Sequence, residues 1–107
     1  GRPTILTFLT TWLPQASAQL GFLEEVEVDS FAIVNPIMVQ DTPPVVHIFQ
    51  KRGQYNLTFL SDRDGVLVEP LQLSSLPTHI FLNRRGIIKN VKVGVLTKNE
   101  LLENLVN

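Results

Sequence analysis

The sequence TILTFLTTWLPQASAQLGFL, residues 4–23, decides how the rest of the chain is interpreted. Its first part, Thr4–Leu9, is apolar and β-branched, which is typical of a buried strand. Apolar residues then recur at helical spacing from Ala16 onward, and Pro14 suits the first turn of a helix, where no amide partner is lost. The stretch therefore predicts a buried strand that passes through an exposed Trp12 into a helix.

The junction between this strand and this helix is where α/β folds place their chemistry. The two residues that occupy the start of the predicted helix are Leu13 and Ala16. Both side chains are hydrocarbon and neither can act as an acid, a base or a nucleophile. The sequence therefore predicts no catalytic residue at this position.

The segment Trp12-Leu13-Pro14-Gln15-Ala16 resembles the active-site motif of thioredoxin-like proteins, especially the TlpA/ResA-like thiol–disulfide oxidoreductases. In that family a strand is followed by Trp-Cys-x-x-Cys and a helix, so Leu13 and Ala16 stand at the two cysteine positions. Residues 75–86, SLPTHIFLNRRG, resemble the cis-proline strand of the family and its hairpin, which makes Pro77 the expected cis-proline. The resemblance covers nearly the whole chain. It implies an α/β, thioredoxin-like fold with a central mixed sheet of about five strands (βαβαββα) flanked by helices.

The resemblance implies thiol–disulfide exchange, yet this chain contains no cysteine. Exchange needs a thiolate whose pKa is lowered at a helix N-terminus, and a second thiol to resolve the mixed disulfide. Two neutral residues, Thr7 and Gln19, also stand where the family often has carboxylates. We therefore interpret Leu13 and Ala16 as former redox positions in a natural degenerate member, and we expect no catalytic residue, no cofactor and no metal site.

Length and charge limit the other classes of function. A chain of 107 residues predicts a single thioredoxin-like domain spanning residues 1–107, compatible with a domain excised from a longer chain. The net charge of −1 without a basic block predicts no nucleic-acid partner. No apolar run approaches the roughly 20 residues that span a bilayer, and Gly1-Arg2-Pro3 leads into a strand without a signal peptide. The resemblance implies an extracytoplasmic or membrane-tethered location, which the sequence itself leaves open, together with the oligomeric state.

The remaining elements follow from apolar runs and turn residues. We predict strands at residues 30–34, 57–60, 78–82 and 87–93, and helices at residues 43–53 and 98–106. Asn35-Pro36 is expected to break the second strand, with residues 37–39 as a short extension of it. Pro70 allows at most one helical turn over residues 66–73. Thr97 and Glu100 have the spacing of a capping box at the start of the last helix.

Several polar residues are candidates for a non-thiol site. Ser17 or Thr11 is expected to cap the first helix. A catalytic role for Ser17 needs a base within hydrogen-bond reach, and His79 is the candidate. We expect His79 to be satisfied by a backbone carbonyl and His47 to lie at the surface. The acidic residues Asp62, Asp64 and Glu69 lack the ligand set of a calcium loop and are explained by turn chemistry.

The resemblance implies a peptide groove, and three hypotheses about function follow. The predicted groove is an apolar patch formed by Trp12, Leu13, Leu76 and Pro77, and it is a candidate surface for a protein or peptide partner. The first hypothesis is a redox-inactive domain that binds a partner there or has a structural role. The second is a TlpA-like oxidoreductase whose active-site cysteines have been replaced. The third is an enzyme that uses His79 or Ser17.

Overall fold

The computed structural model describes residues 1–71, 73 and 75–105. Its elements are β1 (Thr4–Leu9), α1 (Ala16–Val28), β2 (Ile33–Val39), α2 (Pro43–Gly53), β3 (Leu60–Asp62), β4 (Thr78–Leu82), β5 (Ile88–Val93) and α3 (Lys98–Glu103). The order βαβαβββα contains one more strand before the last helix than the predicted order βαβαββα. That strand brings the sheet to the five strands expected.

The five strands form one mixed sheet in the order β3-β2-β1-β4-β5. β1 lies at the centre, where it pairs in parallel with β2 and antiparallel with β4. β3 is parallel to β2, and β5 closes the other edge as the antiparallel partner of β4. The predicted fold class, an α/β thioredoxin-like fold with a central mixed sheet, is confirmed.

The three helices pack on one side of the sheet, and we call this packing the helix-side core. Successive side chains of a strand point to opposite faces, so Ile5 and Leu9 of β1 face this side. α1 contributes Ala16, Leu20, Leu23 and Val26, which recur at helical spacing. The buried members are Ile5, Leu9, Ala16, Leu20, Leu23, Val26, Ala32, Val34, Met38, Val46, Leu57, Phe81, Leu96 and Leu101.

The opposite side of the sheet has a smaller cluster, which we call the loop-side cluster. It consists of Phe8, Ile37, Val39 and Ile80. No described helix covers it. Partly buried residues of the connection between β3 and β4 pack against it instead, namely Val68, Leu71, Leu73 and Leu76. The connection is a series of turns, in agreement with the prediction that Pro70 permits at most one helical turn; Gln72 within it lies outside the described residues.

β2 covers Ile33–Val39 rather than residues 30–34, and it continues through Pro36. The prediction of a break at Asn35-Pro36 is therefore wrong, whereas residues 37–39 do belong to the strand. Proline cannot donate to a ladder, and it is tolerated where its nitrogen faces no neighbouring strand. The amide of Gln40 donates to the carbonyl of Asp62 on the β3 side, at 2.7 Å. Alternate residues of a strand turn their amides to the same side, so the nitrogen of Pro36 faces this side too. β3 begins to pair only beyond this point, and no ladder bond is lost.

The third strand also differs from its prediction, because it covers Leu60–Asp62 rather than residues 57–60. Leu57 is buried through packing in the helix-side core and not through strand pairing. Phe59 lies in an aromatic cluster, with ring centroids 6.4 Å from Phe49 and 5.9 Å from Tyr55. The apolar character of residues 57–59 therefore comes from helix-side packing, which a strand pattern does not distinguish.

The last helix begins as predicted and ends earlier. The Thr97 hydroxyl accepts from the amide of Glu100, and the Glu100 carboxylate accepts from the amide of Thr97, which confirms the capping box. α3 ends at Glu103 with Asn104 as its C-cap, so the prediction of a longer helix is wrong in its last turn. Val106, the predicted last residue, lies outside the described residues.

Candidate functional site

The loop between β1 and α1 contains Leu13, and α1 begins at Ala16; these are the two residues predicted to occupy former redox positions. The amide of Leu13 donates to the carbonyl of Thr10 at 3.3 Å, and the amide of Ala16 donates to the carbonyl of Leu13 at 3.0 Å. The chain thus enters α1 through two successive turns, with Pro14 two residues ahead of the helix and not within its first turn as predicted. Trp12, at the tip of this loop, is 74% exposed.

Leu13 and Ala16 are packed as hydrocarbon. Ala16 is buried in the helix-side core, and Leu13 is half-buried against the same cluster. The core removes part of the apolar surface of Leu13 from water, and this burial stabilises a leucine at position 13. Neither position therefore has a group that could form a thiolate or act as another nucleophile.

Asp41 holds the loop from the side of β2. Its carboxylate accepts from the backbone amide of Thr11 at 2.8 Å and from the Thr11 hydroxyl at 3.2 Å. Thr11 is therefore engaged with Asp41, and no side chain of the described residues caps the first turn of α1, so the prediction that Thr11 or Ser17 caps this helix is wrong. Asp41 thus holds the backbone of the residue that precedes Trp12.

A groove of about 470 Å³ opens beside this loop. Leu13 and Trp12 form one wall, the end of β2 forms the floor, and the connection between β3 and β4 forms the other wall. The lining residues are Trp12, Leu13, Val39, Gln40, Asp64, Gly65, Val68, Glu69, Leu73, Ser75 and Leu76. Most of these side chains are apolar, and the two charged ones among the described lining residues are carboxylates.

Asp62 organises the wall opposite Trp12. It is buried, and its carboxylate accepts from the amides of Val66 at 2.9 Å and Leu67 at 3.1 Å. Gly65 has a φ of +67°, a conformation that glycine adopts at little cost. The turn that was predicted at residues 62–65 is present, and it sets the direction in which Val68 and Glu69 approach the groove.

The predicted groove residues are only partly brought together. Trp12, Leu13 and Leu76 line the same groove, whereas Pro77 is buried and is not among the residues that line it. The peptide bond between Leu76 and Pro77 is cis, the geometry that the resemblance implies at this position. A role of these residues in binding a peptide stays a prediction.

The His79 side chain is buried on the helix side of the sheet, and both of its nitrogens already have hydrogen-bond partners. Its Nδ1 lies 2.8 Å from the Thr7 hydroxyl and its Nε2 lies 3.0 Å from the carbonyl oxygen of Gly94. The carbonyl can only accept, so Nε2 is the protonated nitrogen and Thr7 donates to Nδ1. Burial is the main cause that lowers the pKa of His79 from 6.5 to about 4, against the smaller opposing effect of the Gly94 bond. The expectation that a backbone carbonyl satisfies His79 is confirmed.

Gln19 is fully buried, and the nitrogen and the oxygen of its side-chain amide both bond to the backbone of Leu96. Its Nε2 donates to the Leu96 carbonyl at 3.0 Å, and its Oε1 accepts from the Leu96 amide at 2.8 Å. This pair joins α1 to the segment that precedes α3. A neutral amide supplies the donor and the acceptor that this position needs, whereas an ionised carboxylate could only accept.

The other polar candidates do not assemble into a site. His47 is exposed on α2, as expected. Within residues 1–71, 73 and 75–105, no group of three or more His, Asp or Glu side chains is placed to hold a metal ion. Over the same part of the chain, none of the helices has the length and apolar character needed to cross a bilayer.

The sheet order, the loop that leads into α1 and the cis peptide bond before β4 define a thioredoxin-like protein. No family profile matches the chain. Sporulation thiol-disulfide oxidoreductase A of Bacillus subtilis (strain 168) is 29% identical over 109 residues, covering 96% of this chain and 66% of that protein. Thioredoxin-like protein YneN of the same organism is 28% identical over 112 residues, covering 98% of this chain and 64% of that protein. The chain thus spans just under two thirds of the length of these curated relatives.

Solved structures agree with these relatives. The crystal structure of StoA from Bacillus subtilis matches with a TM-score of 0.81 at 25% identity, covering 96% of this chain and 81% of that chain. The pneumococcal exposed lipoprotein thioredoxin Etrx1 from Streptococcus pneumoniae matches with a TM-score of 0.82 at 23% identity, covering 96% and 82%, which shows the fold alone. The chain therefore has the thioredoxin-like fold and is similar to thiol–disulfide oxidoreductases of that fold, and its sequence contains no cysteine.

Proposed function

We propose that this chain is a redox-inactive thioredoxin-like domain that binds an extended segment of another protein in the groove between Trp12 and Leu76. The observation that carries the proposal is the pair of hydrocarbon side chains at the former redox positions: Ala16 is buried and Leu13 packs against the helix-side core. The fold keeps the loop and the groove of its family while the thiols are gone. Binding is the part of the family's function that this arrangement can still perform.

Two further positions agree with the loss of redox chemistry. Disulfide exchange moves protons as well as electrons, so oxidoreductases of this type benefit from ionisable groups near the thiols. Here Thr7 donates to the buried His79, and Gln19 is committed to the backbone of Leu96. Both are neutral, and both have structural partners. The surroundings of the former redox positions therefore support packing and not proton transfer.

The composition of the groove indicates the kind of segment that it would bind. Apolar walls remove apolar side chains from water, and Trp12, which is 74% exposed, supplies a large surface for such contacts. Asp64 and Glu69 lie at the same groove, and no lysine or arginine is among its described lining residues. An occupant with an apolar side chain next to lysine or arginine fits this combination, because opposite charges align it in the groove.

A second candidate function is the TlpA-like oxidoreductase whose active-site cysteines have been replaced. The names of the curated relatives favour it, since one of them is a thiol-disulfide oxidoreductase. In that case Leu13 and Ala16 would be recent substitutions in a site that is otherwise intact. The two candidates differ in what cysteines at both positions would restore, and the redox measurement at the end of the Discussion separates them.

An enzyme that uses His79 or Ser17, the third hypothesis, finds little support in the site. Both nitrogens of His79 have hydrogen-bond partners, and the side chain is fully buried. A nucleophile at Ser17 would need a base that can reach it and exchange protons with it. A histidine that stays neutral down to a pH of about 4 is a poor proton acceptor.

Trp12 provides a direct test of peptide binding because it is the single tryptophan of the chain. A display library of cysteine-free peptides is selected on the protein, and enriched peptides are synthesised and titrated while the Trp12 emission is recorded. We expect enriched peptides to contain apolar residues beside lysine or arginine and to shift the Trp12 emission to shorter wavelength.

The matched variants are Leu76→Asp, in the groove, and Ile48→Asp, on the exposed face of α2. Leu76→Asp is expected to weaken the enriched peptides at least about tenfold, because it places a charge against the buried apolar contact. Ile48→Asp should leave their affinity unchanged. Peptides that bind both variants as tightly as the original chain, without a change in Trp12 emission, would contradict the proposed groove.

A further inference from the structure

We propose that the outer edge of β5 is a second binding surface, which takes up an extended acidic segment of a partner protein as an additional strand. This surface is separate from the groove and independent of the function proposed for it. The proposal depends on three features of the edge: backbone groups that face no strand of the described residues, a row of exposed apolar side chains, and a local excess of positive charge.

The backbone of β5 has one side that no described strand covers, since β5 ends the sheet. The amide of Gly94 donates inward to the carbonyl of Pro77 at 2.9 Å. Residues at even separation along a strand turn their amides and carbonyls the same way, so those of Val91 and Val93 face outward. An exposed edge of this kind is a template for a strand from another chain.

The side chains on this edge are unusually apolar for an exposed strand. Ile88, Val91 and Val93 are 49%, 52% and 59% exposed. Val91 lies directly opposite Ile80 in the pairing of β4 with β5, so both side chains are on the face of the loop-side cluster. An added strand with apolar residues on that face would extend this cluster beyond the present edge of the sheet.

The positive charge of the edge indicates which kind of partner it would bind. Residues 84–99 contain no Asp or Glu, whereas they contain five of the nine Lys and Arg residues of a chain whose net charge is −1. Four of these cations are exposed along the hairpin and β5, namely Arg84, Arg85, Lys89 and Lys92. The ion pair that the structure shows among the described residues joins Lys98 to Asp29 and involves none of the four.

These lysines also argue against a second copy of the chain as the occupant. Lysine on an edge strand is a common device against self-pairing. Two β5 strands paired edge to edge would bring Lys89 and Lys92 of both copies close together, and like charges opposite one another are destabilising. An acidic strand meets the same lysines with opposite charge. Glutamate on the Lys92 face and valine on the Val91 face is the pattern that fits.

The test uses an end-blocked peptide of alternating glutamate and valine, about seven residues long, the length of an ordinary strand. A peptide of alternating lysine and valine is its control. Binding to the isotope-labelled protein is followed by amide NMR shifts and by hydrogen exchange. We expect the glutamate–valine peptide to bind, to protect the amides of Val91 and Val93 from exchange, and to bind less tightly when salt is raised.

Two variants of the edge sharpen the result. Lys89→Glu combined with Lys92→Glu should weaken the glutamate–valine peptide about three- to tenfold and allow the lysine–valine peptide to bind instead. Val91→Pro removes an outward-facing donor at a position where an edge strand tolerates proline, and it should also weaken binding. Trp12→Ala is the matched control outside this edge and should leave the affinity of this peptide unchanged.

Several outcomes would overturn the proposal. One is the absence of any shift at millimolar peptide, and another is binding that the charge reversal does not alter. Concentration-dependent shifts of the same amides without peptide would assign the edge to a second copy. Shifts caused by phosphatidylglycerol vesicles but not by the peptide would assign it to an anionic membrane surface. If Val91→Pro does not fold, the charge-reversal pair alone decides between these results.

Discussion

Replacing Gln19 by leucine is expected to lower the free energy of unfolding by about 2–6 kcal/mol, because two buried backbone groups lose their partners and each costs about 1–3 kcal/mol. These groups are the amide and the carbonyl of Leu96, which Gln19 satisfies at 2.8 and 3.0 Å. Urea unfolding of the wild type and of Gln19→Leu measures the difference. Gln15→Leu is the control, since Gln15 is exposed and makes no side-chain cap bond, and it should change stability by less than about 0.5 kcal/mol.

Gln19→Glu separates the hydrogen bonds from the shape of the side chain. A glutamate at this position must be protonated to donate to the Leu96 carbonyl, and burial also favours its neutral form. The folded protein would therefore bind a proton more tightly than the unfolded chain, so stability falls as the pH rises above the usual glutamate range. Equal stability of Gln19→Leu and the wild type, or a flat pH profile for Gln19→Glu, would show that the contact with Leu96 is unimportant.

Acidification is expected to remove about 3 kcal/mol of stability through His79 alone. Burial lowers the pKa of His79 in the folded protein from 6.5 to about 4. Above 6.5 the histidine is neutral in both states and its contribution is constant. As the pH falls from about 6.5 to about 4, only the unfolded chain takes up the proton, so unfolding becomes more favourable by about 1.4 kcal/mol per pH unit.

The contribution of His79 is isolated with His79→Gln, which keeps a donor for the Gly94 carbonyl but does not titrate. Urea unfolding gives the free energy of unfolding of wild type and variant at pH values from 4 to 7.5. Plotted against pH, the two free energies should converge or cross as the pH falls. His47→Gln, on the exposed face of α2, is expected to follow the wild type. Parallel curves for wild type and His79→Gln would contradict a buried neutral histidine. NMR of the His79 ring, unchanged from pH 7.5 to 5, is the corresponding test in the wild type.

The elements that the sequence predicts well are those whose stabilising contacts are close along the chain. Thr97 and Glu100 are three residues apart, and the capping box they form is visible in the sequence. The Asn83–Gly86 turn is similar, with Gly86 at a φ of +80°. The centre of the sheet was also predicted, because β1 is a continuous apolar run followed by helical spacing.

The contacts that shape the site are long-range, and this explains what the sequence does not reveal. Asp41 and Thr11 are 30 residues apart, and Gln19 and Leu96 are 77 apart. The sequence pattern predicts Thr11 as a helix cap and does not indicate its bond to Asp41. The sequence predicts that Pro36 breaks β2, but a strand tolerates a proline whose nitrogen faces no neighbouring strand. Whether Pro36 is such a proline depends on where β3 begins to pair, which the sequence does not show. The spatial order of the strands had to be known before that position could be understood.

The groove is predicted by the family resemblance and not by residue patterns. Trp12 and Leu13 are adjacent in sequence, but Leu76 is more than sixty positions away, and only the fold brings it to the same groove. The second wall, which is directed by the bonds of the Asp62 carboxylate to the amides of Val66 and Leu67, was not predicted. The sequence signal for it was the Asp-x-x-Gly turn, interpreted as turn chemistry without a role in the site.

The central claim, that hydrocarbon at the former redox positions leaves the chain without thiol–disulfide activity, is tested most directly by insulin reduction with dithiothreitol. The wild type is compared with no protein, with Leu13→Cys/Ala16→Cys and with StoA of Bacillus subtilis. We expect the wild type to equal the reaction without protein. We expect the double variant to be at least about tenfold slower than StoA, because Thr7 and Gln19 supply no ionisable group. A double variant as fast as StoA would favour the second candidate, the oxidoreductase whose cysteines have been replaced. A wild type that accelerates the reaction would contradict the claim.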